Sequence, residues 1–321
     1  MNSCLALSAK QMALKSSPGE EGEHENVAIG YYRKAVRTFS VLLADSDHAR
    51  SDEILASSII LSTYEMLDVV GDSFGSHLNG IAFFLQSRQV NGDSQGIEGA
   101  AYWTWYRHEI RAALQTGRRM FLEDNYWQPE PLDSFNGLSV HCKPGPHDDD
   151  DDVNTQHAQH RRAVALDASL DQRQQKLPLS MAHFLADRHP NADGSRASDF
   201  PFEWFLYPPS AIAHQVYHAS KILLRLHRPS LPSENTGPGR NQYLSNRREI
   251  EKSRQQIFLV SNSGIPDTWS LVSTQCLFVA GLVTEGVLEQ HHTLRLIESC
   301  QRSSGRRTIC LANELRRLCA Q

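Results

Sequence analysis

Aromatic and charged side chains are most concentrated in the segment YWTWYR, which contains Trp103, Trp105, Tyr106 and Arg107. Aromatic faces next to a guanidinium group can hold a small acidic metabolite, because the rings supply apolar surface and the cation supplies a charged contact. The alternative is that Trp103 and Tyr106 fill a core while Arg107 pairs locally. We therefore predict a candidate effector pocket at these four residues, with core packing as the competing interpretation.

Two histidines have a spacing that metal ligands can use. His214 and His218 are four residues apart on a predicted helix, so their side chains would share one face. The residue between them at position 215 is Gln rather than the Glu of the zinc-protease motif, and no third ligand is indicated. We therefore predict an ordinary helix surface here rather than a metal site.

The cysteines do not form a zinc-binding array. They are scattered along the chain and none is part of a C-x-x-C pair: Cys4, Cys142, Cys276, Cys300, Cys310 and Cys319. A structural zinc site needs about four ligands in a closed set. We therefore expect no stoichiometric zinc in this chain, and zinc only if a cysteine cluster lies upstream of it.

The sequence contains none of the short motifs that mark common enzyme classes. There is no G-x-S-x-G, no Walker phosphate loop, no dinucleotide fingerprint and no H-E-x-x-H. No spacing of acidic side chains places an acid beside a base. We therefore predict that the chain is not an enzyme.

Charge and hydropathy limit the surfaces that the chain can bind. Its 32 Lys and Arg against 37 Asp and Glu give a formal net charge of −5, and the basic residues occur as separated pairs such as Arg118-Arg119. Phosphate backbones need clustered cations. The most apolar long stretch, residues 271–283, is too short to span a bilayer. We therefore predict neither direct DNA contact nor membrane insertion.

Helical periodicity dominates the chain. Apolar residues recur at three- and four-residue spacing in the segments 29–43, 51–66, 78–85, 97–117, 163–175, 212–226, 247–262, 268–290, 292–302 and 306–319. Ser51 or Asp52 is suited to cap the second of these, and Gly117 is suited to end the fourth. No period-two alternation exceeds four residues. We predict an all-α fold, an irregular array of roughly ten helices, with an aromatic connector at 200–209.

One segment interrupts this helical pattern. Residues 128–159 hold four prolines and the run of five aspartates at 148–152. Adjacent carboxylates repel one another and cannot be buried together. His141, Cys142 and His147 could bind a divalent cation loosely, but a Pro-rich loop provides no fixed coordination geometry. We predict a flexible acidic loop within one domain that spans residues 1–321.

The order of the helical segments resembles a known family. YYRKAVRTFSVLL, DEILASSIILSTYEM, SHLNGIAFFLQSR and GAAYWTWYRHEIRAAL resemble successive helices of the fungal-specific transcription factor domain. YHASKILLRLHRPS, STQCLFVAGLVTEGVLEQHHTLRLIESCQRSSG and ANELRRL resemble its second half. The resemblance implies a nuclear regulator of transcription that acts through coregulators or other regulators, as a homo- or heterodimer, or through a small effector.

The chain also departs from the pattern of complete members of this zinc-cluster family. Those members carry six cysteines that hold two zinc ions ahead of this region, and that module places a helix in the DNA major groove. Here Cys4 stands alone, so we expect an N-terminally incomplete regulatory region without its own DNA-binding module. The alternatives are a small-molecule-binding or interaction module with no transcriptional role, or a truncated remnant.

Overall fold

The computed structural model describes residues 1–16, 20–44, 51–68, 77–123, 126–127, 152–178, 181, 183–186, 202–205, 207–229, 238–266, 269–304 and 311–319. The helices of these ranges are α1 (Asn2–Lys15), α2 (Glu21–Leu43), α3 (Asp52–Asp68), α4 (Leu78–Ser87), α5 (Gly96–Thr116), α6 (Asp152–Gln175), α7 (Pro208–His227), α8 (Pro238–Asn262), α9 (Ser270–Leu282), α10 (Val287–Ser304) and α11 (Leu311–Cys319).

The all-α class is confirmed, with one small addition. Two four-residue strands, β1 (His183–Ala186) and β2 (Phe202–Phe205), form an antiparallel pair in which His183 lies opposite Phe205. Periodicity does not predict this sheet, because four residues are too few to distinguish a strand from an aromatic connector. The aromatic connector predicted at 200–209 therefore contains β2.

Two predictions of where a helix begins or ends are confirmed. The backbone N–H of Ile54 donates to Ser51 Oγ at 3.3 Å, which makes Ser51 the N-terminal cap of α3. Gly117 follows α5 with φ of 65°, the left-handed conformation that ends a helix and that glycine adopts without strain.

Other predicted boundaries are wrong. The predicted helix 268–290 is two helices, because the chain leaves the helix after Leu282 and α10 begins at Val287 beyond Gly286. Helix α8 begins at Pro238, inside a segment without an apolar stripe. Helix α6 begins at Asp152, inside the predicted acidic loop; residues 128–151 lie outside the described residues. Composition identifies polar segments but does not locate where a polar helix starts.

The chain divides into two compact units. The N-terminal unit contains the described residues from Met1 to Trp127, with α1–α5. Its α1 packs on α2 and α3, while α3, α4 and α5 pack together. Leu55, Leu78, Leu85 and Trp105 are essentially inaccessible to solvent at the centre of this second group. Full burial of each such side chain contributes about 1.5–3 kcal/mol.

The C-terminal unit contains the described residues from Asp152 onward, with α6–α11 and the sheet. Helix α7 packs on α8 and α9, and α9 also packs on α10 and α11. Ile222, Ile257, Leu277 and Ile297 are fully buried among these helices. Helix α6 contacts α7, and ion pairs of Asp167 with Lys221 and Arg225 are part of this contact.

Candidate functional site

Helix α5 turns its two tryptophans in different directions. Trp105 is fully buried, and its Nε1–H donates to the carbonyl oxygen of Leu78 at 2.9 Å. Trp103 keeps 41% of its surface exposed. Residues two apart on a helix point about 200° apart around its axis. The four predicted pocket residues are therefore not brought together: Trp105 belongs to the core, whereas Trp103 does not fill it.

A surface aromatic cluster surrounds Trp103. We define it as Tyr102, Trp103, Tyr106 and Trp127. The ring centroids of Trp103 and Trp127 are 5.6 Å apart with the planes nearly perpendicular, and those of Trp103 and Tyr106 are 5.9 Å apart in a similar arrangement. Tyr102 lies beneath them, 5.6 Å from Trp127. These are the edge-to-face geometries that aromatic rings prefer.

The cluster is tied to the turn between α4 and α5. Trp103 Nε1–H donates to the carbonyl oxygen of Gly92 at 3.2 Å, and Trp127 Nε1–H donates to Asp93 Oδ2 at 2.6 Å. A Cβ at Gly92 would collide with the Trp127 ring. The Tyr126 hydroxyl donates 2.7 Å to the carbonyl oxygen of Val90. The turn and the rings therefore hold one another in place, which produces a preorganised apolar surface.

A buried carboxylate positions the segment that follows α5. Glu109 is fully buried, and the Arg118 guanidinium donates to both of its oxygens at 2.6 and 2.9 Å. The backbone N–H of Phe121 donates to Glu109 Oε1 at 2.7 Å. The hydrogen bond to Glu109 raises the pKa of Arg118. This charged anchor fixes the turn at Gly117, from which the chain continues toward Trp127.

The surface aromatic cluster offers binding groups rather than acid–base chemistry. Burial raises the pKa of Tyr102 to about 12, so its phenol stays neutral near pH 7. Arg107 is exposed one helical turn after Trp103 and donates to Thr104 Oγ1 at 3.1 Å. The local pairing of Arg107 agrees with the structural alternative, while its exposure leaves it accessible to an anion. Whether a small effector binds here stays a prediction.

The prediction of a helix surface at His214 and His218 is wrong. Both side chains are buried, and their Nε2 atoms lie 3.2 Å apart. His218 Nδ1 lies 3.2 Å from Ser253 Oγ, and His214 Nε2 lies 3.1 Å from Gln256 Oε1. The pair belongs to a polar network between α7 and α8. An isolated helix pattern cannot reveal it, because its partners are more than 30 residues away.

Helix α6 is held on α7 mainly by charge. Asp167 lies 2.5 Å from Lys221 Nζ and 2.9 Å from Arg225 Nη2. Asp171 accepts hydrogen bonds from Lys221 at 2.8 Å and from the Tyr217 hydroxyl at 2.6 Å. Asp167 and Asp171 are one turn apart on α6, as Lys221 and Arg225 are on α7. This complementary i, i+4 charge pattern is present in the sequence, but the spacing alone does not show that these two helices pair.

The described part of the chain offers no arrangement for a metal ion or a membrane span. None of its groups of His, Cys, Asp and Glu has the three or more members that a metal ion would need. Within the described ranges, no helix is both long enough and apolar enough to cross a membrane. Cys4 is exposed, Cys276 is buried, and burial raises the pKa of Cys276 to about 12. The expectation that the chain holds no zinc stays a prediction.

Comparison with known families gives a match for the N-terminal part of the chain. Residues 1–144 match the family described as the fungal specific transcription factor domain. The resemblance is therefore confirmed over these residues, which include α1–α5 and the surface aromatic cluster. Beyond residue 144 the resemblance stays a prediction.

One relative gives a more particular comparison. An uncharacterized protein of Emericella nidulans is 31% identical to this chain over 131 residues. The aligned part covers 40% of this chain and 28% of the relative, so the chain spans less than a third of that protein. No solved structure matches the chain.

Tyr102 and Trp127 are the site residues that sequence reasoning missed. Tyr102 adjoins the predicted group in the sequence, but its position on the buried side of α5 depends on the packing of that helix. Trp127 lies beyond the end of the helical pattern and reaches the cluster only because Glu109 and Gly117 turn the chain back. No local spacing carries that information.

Proposed function

We propose that this chain is a nuclear, non-enzymatic regulator of fungal transcription that acts through protein partners. The observation that carries the proposal is the match of residues 1–144 to the fungal specific transcription factor domain. The surface aromatic cluster lies within this range and is our candidate contact for a coregulator or another regulator. Aromatic side chains that are both rigid and partly exposed are typical anchors of protein interfaces.

The chemistry of the surface aromatic cluster indicates which kinds of partner and ligand it could bind. Exposed ring edges suit apolar side chains of a coregulator or of a second regulator in a homo- or heterodimer. Arg107 beside Trp103 suits a carboxylate, either of the partner or of a small acidic effector. The net charge of −5 argues against direct DNA contact. In this proposal DNA binding comes from a partner, or from a zinc cluster upstream of this chain.

A reporter assay with matched variants tests the proposal. The chain is fused to an unrelated DNA-binding domain in a fungal host, and the transcription of a reporter is measured. We expect the fusion to change reporter output and Trp103→Ala to reduce that change by about tenfold, corresponding to the loss of an interface anchor. Phe83→Ala is the matched control, because Phe83 is a 68% exposed aromatic on α4 outside the cluster.

The outcomes separate the alternatives. A fusion that is folded by circular dichroism yet leaves every reporter unchanged would favour a non-transcriptional module or a remnant. Equal losses from Trp103→Ala and Phe83→Ala would argue against the surface aromatic cluster as the contact. A selective complex of the isolated chain with genomic DNA fragments in a gel-shift assay would contradict the absence of direct DNA contact.

A further inference from the structure

Helix α6 contributes no buried side chain to its unit over the described positions 156–175. Six of the seven half-buried positions form one stripe, and Ala165 lies on the opposite side of the helix; the six are His160, Ala163, Asp167, Leu170, Asp171 and Gln174. Four of these six are polar. A surface helix usually docks through an apolar stripe, so α6 lacks the usual source of docking energy and depends on its polar contacts.

The surface of α7 that α6 covers is cationic, and its cations form ion pairs with carboxylates of α6. The Lys221 side chain is 7% exposed and that of Arg225 is 15% exposed, and their carboxylate partners include Asp167 of α6. At the far end of the contact, Arg228 donates to His160 Nε2 at 2.9 Å. Without α6, two of these cations would lose carboxylate partners that now neutralise them. Such a surface favours another acidic segment in place of α6.

The apolar part of the same contact is incompletely filled. An open cavity of about 320 Å³ lies between the two helices, lined by Ala163 of α6 and by Ser220, Leu223, Leu224 and His227 of α7. The methyl group of Ala163 is too small to fill it. A longer apolar side chain at this position would bury additional surface without changing the ion pairs.

We propose that α6 is a releasable helix that covers a docking surface on α7, and that this surface binds an acidic amphipathic helix of a partner protein. The geometry of α6 defines the partner: two carboxylates spaced i, i+4, preceded one turn earlier by a bulky apolar residue. Carboxylates would pair with Lys221 and Arg225, and the apolar residue would fill the cavity that Ala163 leaves. The inference deepens the proposed function, because it names the chemistry of one partner.

Hydrogen–deuterium exchange tests the release of α6 in the full chain. Asp167→Asn with Asp171→Asn should accelerate exchange of α6 amides by at least about tenfold, while α8 and α9 keep their protection. Glu285→Gln is the matched control, since it removes the exposed pair with Arg247 in the same unit. Protection of α6 that is unchanged in the double variant would overturn the proposal.

A second measurement needs no substitution. Raising sodium chloride to about 1 M screens the exposed pair of Asp171 with Lys221 most strongly, and it should accelerate exchange in α6 of the unmodified chain but not in α8 or α9. This measurement keeps the test decisive if the double variant fails to fold. Equal protection of α6 at low and high salt would contradict the proposal.

Peptide binding tests the docking surface itself. A labelled peptide of residues 156–175 with Ala163→Leu is titrated into the double variant by fluorescence anisotropy. We expect about tenfold tighter binding than for the unsubstituted peptide, and at least about tenfold weaker binding to the unmodified chain, where α6 competes intramolecularly. The control peptide with Asn at 167 and 171 should not bind.

Failure of this inference can be distinguished from failure of the proposed function. Absence of peptide binding to a variant whose α6 is released would refute the docking surface, whatever the reporter assay shows. Peptide binding together with a silent reporter would support the docking surface and contradict the transcriptional role.

Discussion

Helices α5 and α6 have similar lengths but are held in place by different forces. Helix α5, 21 residues long, buries Tyr102, Trp105 and Ala112 in the core of its unit. Helix α6, 24 residues long, has no buried side chain over its described positions 156–175 and is attached through Asp167 and Asp171. Apolar burial is not screened by salt, whereas an ion pair with an exposed carboxylate such as Asp171 is weak and screened. The difference shows that helical structure alone does not indicate how firmly a helix is held.

The largest expected effect is in the core of the N-terminal unit. Trp105→Ala should destabilise this unit by about 3–5 kcal/mol, because it leaves a cavity and removes the hydrogen bond to Leu78. Trp103→Ala should cost only about 1 kcal/mol, since its ring is partly exposed and contributes mainly aromatic contacts. Urea unfolding of both variants measures the two values. Equal losses of unfolding free energy in the two variants would contradict the distinction between the buried and exposed faces of α5.

A smaller effect is expected where the surface aromatic cluster meets its turn. Gly92→Ala should destabilise the N-terminal unit by about 1–3 kcal/mol, because the added Cβ collides with the Trp127 ring. Gly80→Ala is the matched control: no atom lies within 4 Å of the Cβ that it would add on α4, and Ala is the better helix former. A thermal melt in which both variants behave alike would contradict the close approach of Trp127 to the turn.

Acid should weaken the attachment of α6 before it affects α5. Partial burial favours the protonated form of Asp171, but the hydrogen bonds from Lys221 and Tyr217 together lower its pKa below the usual 3.8. Its contribution is therefore fully present above pH 3.8 and lost as the pH falls through the lower folded value. Asp171 is 45% exposed, which limits the contribution to about 1 kcal/mol or less. Asp171→Asn should remove this acid sensitivity in hydrogen exchange of α6.

The smallest effect is expected on the alkaline side, in the N-terminal unit. The hydrogen bond to Glu65 raises the pKa of His77 above 6.5, although partial burial opposes the shift. The resulting stabilisation is fully present below pH 6.5 and lost as the pH rises through the raised value. Because the His77 side chain is 61% exposed, we expect less than about 1 kcal/mol. Unfolding at about pH 5.5 and about pH 9 should show this difference, and His77→Gln should abolish it.

The sequence predicts the existence of α5 and its end correctly, but not its buried face. The apolar stripe that includes Trp103, Tyr106 and Ile110 fits a helical period, whereas the buried side contains His108 and Glu109. Hydrophobic periodicity alone does not assign a helix face with a charged residue to the core. Glu109 is tolerated there because Arg118 and a backbone N–H satisfy its oxygens, and these partners come from the chain beyond the helix.

The attachment of α6 was equally inaccessible to local reasoning. Its sequence favours a weak polar helix, and the partners of Asp167 and Asp171 are 46–58 residues further along the chain. The i, i+4 spacing of carboxylates on one segment and cations on another suggests a pairing, but many exposed helices carry such patterns without docking to one another. Only the fold selects α7 as the partner of α6.

The most direct test of the contrast between α5 and α6 is hydrogen–deuterium exchange of the unmodified full chain near pH 7 at low salt. Our account predicts that amides in the central turns of α5 exchange only through global unfolding of their unit, while those of α6 exchange at least about a hundredfold faster through local release. Protection of α6 equal to that of α5 would contradict the account, because it would show that polar contacts hold α6 as firmly as apolar burial holds α5.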